Sequence, residues 1–261
     1  MAISLSSIKR SGQPKPPMVM MYAVHGIGKT TFGASAPRPI FIQTEDGLGK
    51  IETDTFGVLK TFDEVMDAIG TLYNEKHDFK TLVVDSLDWA EPIIHAETAR
   101  INGWKSIDDG SKDTAFQRGY KAAADTWKIL LEGLTALRDE RDMAVVMLAH
   151  SEIKRFESPE ADAFDRYQPK LHKDASAIIQ EACDDVLFCN YRVNTVKTDV
   201  GFNKKLVRGV GSGERLIYTV ERPAFLAKNR WSLPDNMPLA WNAYASGIPY
   251  YAAQQVSIAA E

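Results

Sequence analysis

The stretch YAVHGIGKTTFG at residues 22–33 constrains the fold of this chain more than any other feature of its sequence. Its glycines, its lysine and its first threonine match the end of the pattern G-x-x-x-x-G-K-[ST], at Gly26, Gly28, Lys29 and Thr30. Glycines let consecutive backbone N–H groups curl around phosphate oxygens, and a helix that starts behind them adds a favourable dipole. Because an apolar run precedes the stretch and a helix-forming run follows it, the sequence predicts a phosphate-binding loop.

In this predicted loop, the P-loop, each polar residue has an expected role. Lys29 reaches the β- and γ-phosphates of a nucleotide, and the Thr30 hydroxyl is a ligand of Mg²⁺. Further contacts with the nucleotide are expected from the residues around them, which are His25, Gly26, Ile27, Gly28 and Thr31. Ala23 departs from the pattern, which begins with glycine. Alanine is harmless there if φ is negative and costly if φ is positive.

Short apolar runs alternate with helical patterns from Met18 onward. Runs such as TLVVDS (81–86) and AVVMLAHS (144–151) are almost continuously apolar, which is typical of buried parallel strands. The alternation predicts an α/β fold, a mainly parallel twisted sheet flanked by helices. Two later β segments, near 204–210 and 214–221, are joined by the turn-like VGSG and predict a C-terminal β-hairpin.

Composition excludes several classes of protein. The chain has 261 residues, of which 44% are hydrophobic and 25% charged, as in ordinary globular proteins. With a net charge of −4 the whole molecule does not attract nucleic acid, so any such site must be a local basic patch. The two cysteines, Cys183 and Cys189, indicate neither a disulfide framework nor a zinc site. Since no run resembles a signal peptide or a membrane span, we expect a cytoplasmic protein without a membrane partner.

The third predicted strand ends in Asp85. A carboxylate at the end of an apolar strand suits a partner that holds Mg²⁺ through water, downstream of a P-loop. The alternative is an aspartate that ends the strand and starts a turn.

Four further segments resemble the RecA-type ATPases, in order and in rough spacing: FIQTED (41–46), VVDS (83–86), VVMLAHSEIK (145–154) and DASAIIQEACDDVLFCNYR (174–192). The chain resembles most the phage-encoded RecA-like P-loop ATPases of the single-strand annealing (Sak) class. The resemblance implies ATP and Mg²⁺ as cofactors. It divides the chain into a flexible lead (1–16), a RecA-like ATPase core (17–231) and a C-terminal extension (232–261).

The resemblance also implies catalytic roles. Glu45 would orient and deprotonate the attacking water, with Asp46 as the alternative, although the acidic EDG stretch is also typical of an exposed turn. His150 stands where the family often has an amide side chain that senses the γ-phosphate, and a plain strand-end histidine is the alternative. Lys228 and Arg230 resemble the K-x-R pair that RecA-like ATPases present to the nucleotide of a neighbouring subunit, and two solvated charges are the alternative.

RecA-like proteins place single-stranded DNA against two loops, here about 101–114 and 152–173, both expected to lack regular structure. Trp104 and Lys105 of the first loop suit base stacking and phosphate contact. Phe116 and Tyr120, just beyond it, are better explained as core positions of the next helix. The second loop is neutral by count and therefore weak evidence for phosphate binding. Its charged residues are Lys154, Arg155, Arg166, Lys170 and Lys173 against Glu152, Glu157, Glu160, Asp162 and Asp165.

A clearer basic cluster follows later in the sequence. It consists of Arg192, Lys197, Lys204, Lys205, Arg208 and Arg215, against Asp199 and Glu214. Such a cluster on a hairpin suits a DNA backbone, a subunit contact or a solvated surface equally well.

The resemblance as a whole implies an ATPase with slow, DNA-linked hydrolysis. It would form a ring or filament and bind single-stranded DNA to promote annealing or recombination in phage DNA metabolism, in the host cytoplasm. A single-strand-binding protein is the implied partner. Three alternatives remain: a hexameric helicase-like motor, a nucleotide kinase, and a nucleotide-gated annealing scaffold with negligible turnover.

Overall fold

The computed structural model describes residues 12, 14–160, 162–199 and 205–258, and it describes their side chains except those of 194–199, 205–211 and 254–258. Most of the predicted N-terminal lead falls outside the described residues, as does Lys204 of the basic cluster. The side chains of Lys197, Asp199, Lys205 and Arg208 are likewise outside the described part.

Helices and strands alternate through most of the chain. In order they are β1 (Met18–Ala23), α1 (Lys29–Ala34), β2 (Pro39–Gln43), β3 (Asp54–Val58), α2 (Phe62–Asn74), β4 (Thr81–Asp85), α3 (Leu87–Asn102), α4 (Arg118–Glu140), β5 (Ala144–Phe156), β6 (Phe164–Pro169), α5 (Lys173–Ala182), β7 (Asp185–Asp199), β8 (Lys205–Tyr218), β9 (Asn236–Pro238), α6 (Trp241–Ala245) and α7 (Pro249–Ile258).

The strands form one sheet in the order β3-β2-β4-β5-β1-β7-β8-β9, with β6 paired to β5. The pairs from β3 across to β7 are parallel, and β7–β8, β8–β9 and β5–β6 are antiparallel. The predicted fold class is confirmed: a mainly parallel sheet flanked by helices, with antiparallel strands toward the C-terminus.

Both faces of the sheet are buried, and β1 shows why its sequence is apolar throughout. Its alternate side chains enter two separate cores, because successive residues of a strand point to opposite faces. Met18, Met20 and Tyr22 join the core under α2 to α5. The other three, Val19, Met21 and Ala23, join the core under α1 and α6, to which the C-terminal residues Trp241 and Tyr244 belong. A strand buried on both sides has no polar alternation.

The prediction of an irregular loop over 152–173 is wrong. β5 continues to Phe156 and pairs in antiparallel register with β6, so that Ser151 faces Pro169 and Phe156 faces Phe164. Much of this hairpin is exposed, and its strands therefore carry charged residues instead of the apolar runs that mark the buried sheet.

Two further strand predictions need correction. The VGSG turn predicted near 210–213 does not exist, since these residues lie inside the continuous strand β8, opposite an irregularity between Tyr191 and Val193 of β7. β3 was not predicted, because this edge strand is mostly exposed and has no apolar run.

The parallel strands end at the same edge of the sheet. Ala23 of β1 is level with His150 of β5, and Gln43 of β2 is level with Asp85 of β4. This carboxyl edge brings together side chains that are far apart in the sequence. Among the described residues, no helix combines the length and the apolar character needed to cross a membrane.

Candidate functional site

The P-loop follows β1 directly and leads into α1. Gly26 and Gly28 have φ values of 71° and 111°, in the left-handed region that favours glycine. Ala23, by contrast, lies in β1, where it pairs with His150 and Cys189, and it is not among the described residues with positive φ. The departure from the glycine pattern at Ala23 therefore introduces no backbone strain.

Lys29 begins α1 and is 7% exposed. Burial lowers the pKa of its ammonium, and the nearby carboxylates of Asp85, Asp88 and Glu45 oppose this shift. Within the described part of the chain the ammonium forms no hydrogen bond or ion pair, and its nitrogen is not one of the fully buried unpaired atoms. A cation without a protein partner at the end of a P-loop is free to bind a phosphate oxygen. The site therefore fits a nucleotide phosphate.

Thr30 and Asp85 meet beside this lysine. The Thr30 hydroxyl donates to Asp85 Oδ2 at 2.8 Å. Asp85 is 3% exposed, and burial raises the pKa of its carboxyl, although the Thr30 hydrogen bond and Lys29 act in the opposite direction. No preformed metal site of three or more His, Cys, Asp or Glu side chains occurs in the described part of the chain. Because Mg²⁺ generally takes one or two protein oxygens and completes its shell with water and phosphates, this pair fits Mg²⁺.

Glu45 follows β2 and is held at the same edge. Its Oε1 accepts a hydrogen bond of 2.9 Å from the hydroxyl of Ser86, the residue after Asp85. Thr44 fixes the two connections to each other, because its N–H donates to the Asp85 carbonyl at 2.9 Å and its hydroxyl to the Ser86 carbonyl at 2.6 Å. Asp46 is exposed to solvent. The geometry thus favours Glu45 over Asp46 for contact with a bound nucleotide.

His150 ends the apolar part of β5 at the mouth of the P-loop. Its Nδ1 lies 2.9 Å from Asp88 Oδ2, and its backbone N–H donates to Asp88 Oδ1 at 3.0 Å. Burial raises the pKa of Asp88, but the hydrogen bonds from His150 outweigh it and leave the pKa below its usual value. The His150 ring stacks on His25 of the P-loop, with 4.1 Å between centroids. The neighbouring His150, then burial and Lys29, lower the pKa of His25.

Arg215 of β8 contacts the P-loop from outside. Its guanidinium donates to the carbonyl of Ile27 at 3.0 Å. The sequence places Arg215 in a basic cluster that suits a DNA backbone, a subunit contact or a solvated surface, whereas the structure places it against the P-loop. It also lines a cavity of about 510 Å³ that opens beside α1, together with Thr31, Ser35, Leu239, Trp241 and Asn242. A nucleoside attached to phosphates in the P-loop has room there.

The family model of the AAA domain matches residues 15–231. This chain belongs to that AAA domain family. Among solved structures, the AAA domain is similar to the crystal structure of the RadB recombinase, with 15% identity, a TM-score of 0.42, and coverage of 83% of this chain and 87% of the other. No curated protein matches it. The family and the P-loop geometry together indicate a nucleotide-binding P-loop NTPase.

Lys228 and Arg230 of the AAA domain lie at the opposite edge of the sheet, where β7 begins. The Lys228 ammonium donates to the carbonyls of Gln180 and Cys183, each at 2.8 Å, at the end of α5. The Arg230 guanidinium donates to Asp184 at 2.9 Å and is half exposed. Neither residue contacts the nucleotide site of its own chain. Their predicted role, contact with the nucleotide of a neighbouring subunit, therefore stays a prediction.

The first DNA loop, predicted at about 101–114, spans 103–117 in the structure, between α3 and α4. Phe116 is 90% exposed, so the prediction that it is a core position of the next helix is wrong. Phe116 and Gln117 both have positive φ, and α4 begins only at Arg118. Tyr120 lies on α4 and is half-buried.

The second predicted DNA segment, the β5–β6 hairpin, has most of its cations paired. Lys154 lies 2.7 Å from Glu152, and Arg155 lies 3.8 Å from Asp165. Arg166 is buried and bonded to Glu221. Paired cations release fewer counterions on DNA binding, so this hairpin is a weaker candidate than the first loop.

Sequence motifs did not reveal Ser86, Asp88 or Arg215. Ser86 and Asp88 follow Asp85 closely, and an acidic residue in the first turn of a helix is the one local signal of Asp88. Arg215 has no local signal, because its contact with Ile27 depends on the sheet order alone.

Proposed function

We propose that this protein binds ATP with Mg²⁺ and hydrolyses it slowly, forms a ring or filament, and binds single-stranded DNA. In this proposal it promotes annealing or recombination in phage DNA metabolism, in the host cytoplasm, with a single-strand-binding protein as a partner. The nucleotide part rests on one observation above all. Lys29 is a buried cation, 7% exposed, at the end of a P-loop and beside the Thr30–Asp85 pair.

The residues of the site divide the work of hydrolysis. The P-loop N–H groups and Lys29 hold the phosphates, and the cavity beside Arg215 receives the nucleoside. Thr30 and Asp85 would hold Mg²⁺, which would supply positive charge next to the β- and γ-phosphate oxygens. Glu45 accepts the proton of the attacking water, and its carboxylate is oriented by the hydrogen bond from Ser86.

His150 serves as the γ-phosphate sensor in this proposal. Asp88 holds the ring through Nδ1, which leaves Nε2 as the nitrogen available to the nucleotide. Stacking with His25 of the P-loop fixes the plane of the ring. A change at the γ-phosphate would therefore reach β5 through a side chain that is already oriented.

The placement of Arg230 supports oligomerisation in this proposal. Its half-exposed guanidinium is remote from the nucleotide of its own chain and can neutralise transition-state charge only in a neighbouring subunit. DNA binding is supported by the exposed aromatic Phe116 and by Trp104 and Lys105 on the same loop. At a net charge of −4, DNA binding must depend on such local surfaces.

Nucleotide binding and turnover of the variant Glu45→Gln test the catalytic assignment. Glutamine keeps the shape and the contact with Ser86 but cannot take a proton. We expect ATP affinity to stay near the wild-type value while turnover falls by roughly 10²- to 10⁴-fold, the usual contribution of a general base. Asp46→Asn is the matched control, since it removes the neighbouring but exposed carboxylate. Unchanged turnover in Glu45→Gln would reject Glu45 as the base.

Mass photometry tests the assembly and DNA parts. The protein is measured alone, with ATP–Mg²⁺, and with ATP–Mg²⁺ plus a short single-stranded oligonucleotide. Growth into large assemblies supports a ring or filament, and strand-annealing and unwinding assays then separate the annealing protein from a helicase-like motor. A monomer under all conditions would contradict the trans role of Arg230 and favour a phosphotransferase.

A further inference from the structure

Lys170 lies at the end of the β5–β6 hairpin, directly after Pro169, the last residue of β6. Its backbone N–H donates a hydrogen bond to the carbonyl of His150 at 2.8 Å. The backbone of Lys170 is therefore fixed next to His150, at the carboxyl edge of the sheet, where β1 leads into the P-loop. No sequence motif assigns Lys170 a role in nucleotide binding.

The Lys170 ammonium lies beside Asp88. Its Nζ is 4.0 Å from Asp88 Oδ2, and the Lys170 side chain is 56% exposed whereas that of Asp88 is 2% exposed. Within the described part of the chain the ammonium forms this loose ion pair and no hydrogen bond. Asp88 is already bonded to the ring and to the backbone N–H of His150. The Lys170 ammonium, on its flexible stem, is therefore free to move to a stronger acceptor.

Electrostatic effects connect Lys170 with the P-loop. The pKa of His25 is lowered first by His150, then by burial and by the charges of Lys29 and Lys170. Burial lowers the pKa of Lys29, and Asp88 is among the carboxylates that oppose this shift. Lys29 and Lys170 thus both act on the P-loop residue His25, and Asp88 acts on both of these lysines.

The order of the strands indicates which phosphate Lys170 faces. β5 lies on one side of β1, and β7, β8 and β9 lie on the other. The nucleoside cavity is on the β8–β9 side, where Arg215 and Leu239 line it, whereas Lys170 is held to β5 through its bond with His150. A triphosphate that starts at this cavity and crosses the P-loop after β1 therefore has its terminal phosphate on the β5 side. The terminal phosphate is the one nearest to Lys170.

A second cation at this end of the site has an electrostatic reason. The carboxylates of Asp85, Asp88 and Glu45 all act on the Lys29 ammonium. A γ-phosphate brings further negative charge close to these carboxylates, and like charges repel more strongly in a buried site than in water. Lys29 is shared between the β- and γ-phosphates, whereas Lys170 lies on the γ-phosphate side alone. Lys170 therefore supplies positive charge at the position that distinguishes a triphosphate from a diphosphate.

We propose that Lys170 binds the terminal phosphate of a nucleoside triphosphate in the P-loop of its own chain and makes the protein prefer the triphosphate over the diphosphate. This inference rests on the nucleotide-binding part of the proposed function. The ammonium leaves Asp88 and donates a charge-assisted hydrogen bond to a γ-phosphate oxygen. Asp88 stays paired with His150. The role differs from that predicted for Arg230, because Lys170 belongs to the same chain as the nucleotide that it binds.

Titration calorimetry of the full chain tests this role with two nucleotides: AMP-PNP–Mg²⁺, a triphosphate analogue that resists hydrolysis, and ADP–Mg²⁺. We expect the wild type to bind AMP-PNP more tightly than ADP. Lys170→Met should weaken AMP-PNP binding by roughly 10- to 100-fold, as the loss of a hydrogen bond between charged groups implies. The affinity for ADP should stay unchanged, which also shows that the variant is folded.

Lys173→Met is the matched control. It removes the same charge from an exposed position at the start of α5, where the side chain forms no hydrogen bond or ion pair within the described residues. Both affinities should stay at the wild-type values. A loss of AMP-PNP affinity as large as that of Lys170→Met would reduce the effect to net charge and overturn the inference.

A mixture of two variants tests whether Lys170 acts within its own chain. Lys170→Met is mixed with Lys29→Ala, which keeps Lys170 but lacks the lysine of the P-loop. AMP-PNP affinity should stay as weak in the mixture as in Lys170→Met alone. Recovery of tight binding would show that Lys170 acts between subunits, contrary to this assignment.

The outcomes separate the inference from the proposed function. Equal wild-type affinity for AMP-PNP and ADP, or no selective loss of AMP-PNP affinity in Lys170→Met, would overturn the role of Lys170 and leave nucleotide binding intact. A wild type that binds neither nucleotide would refute nucleotide binding itself, and the role of Lys170 with it.

Discussion

Asp185 supplies the sharpest test of the energetics of this fold. The residue begins β7, is 0% exposed, and accepts hydrogen bonds from the Tyr244 hydroxyl at 2.5 Å and from the Arg230 N–H at 3.3 Å. Burial is the main cause that raises the pKa of its carboxyl from 3.8 to about 6. The folded protein therefore holds a proton on Asp185 more tightly than the unfolded chain does.

The sign of the pH dependence follows from this shift. Between about pH 4 and pH 6 the folded state binds more protons than the unfolded state, so the free energy of unfolding decreases as pH rises. A shift of about 2 pKa units corresponds to about 3 kcal/mol, because one unit is worth 1.36 kcal/mol. The destabilisation caused by the ionised, buried Asp185 carboxylate is fully present above about pH 6 and absent below about pH 4.

Asp185→Asn removes the titration and keeps an oxygen that accepts from Tyr244. We expect the variant to be more stable than the wild type at pH 7.5, by about 1 to 3 kcal/mol, since the amide must find partners of its own. Near pH 4 the advantage should vanish. Urea unfolding followed by circular dichroism at both pH values measures the difference. A variant that is less stable at pH 7.5, or a difference independent of pH, would refute the reasoning.

Four other substitutions probe the loop, the sheet edge and the P-loop. Gly119→Ala forces a Cβ against the Ile107 carbonyl and should cost at least about 1 to 3 kcal/mol, seen as a lower Tm. Lys228→Met leaves two carbonyls unpaired and should destabilise by about 1 to 3 kcal/mol. Arg230→Met should barely change Tm yet reduce ATP turnover on the order of 10³-fold if it acts in trans, and unchanged turnover would exclude that role. Arg215→Met removes the contact with the P-loop and should weaken ATP binding about tenfold by titration calorimetry, without loss of fold.

The buried strands were predictable because their residues are almost all apolar. β1, β4 and β5 are covered on both faces, so their residues form the apolar runs that mark parallel strands. The β5–β6 hairpin and the edge strand β3 were not predictable, since exposed strands tolerate charged residues and show no apolar run. Their pairing depends on backbone hydrogen bonds, which every residue type except proline can donate.

The residues of the candidate site also differ in how far the sequence alone predicted them. Lys29 and Thr30 were assigned from a motif, because the P-loop is a local structure whose glycines and helix start are consecutive. Asp85 was suggested by its position at the end of an apolar strand downstream of the P-loop, whereas Glu45 and His150 needed the resemblance. The carboxyl edge of the sheet brings all three beside the P-loop. The helical sequence pattern continues through Phe116 and therefore predicted a buried position. In the structure the backbone is left-handed at Phe116, and the side chain is exposed.

By itself the sequence determined the α/β class, the phosphate-binding loop and the strands that carry the site, because these depend on local patterns of glycine, apolar and acidic residues. Only the tertiary structure decided the contact of Arg215 with Ile27, across 188 positions of the chain, and the approach of Lys170 to Asp88. Such contacts arise from the order of strands in the sheet and from the packing of helices on its faces. No local pattern encodes them, since the distance along the chain does not set the distance in space.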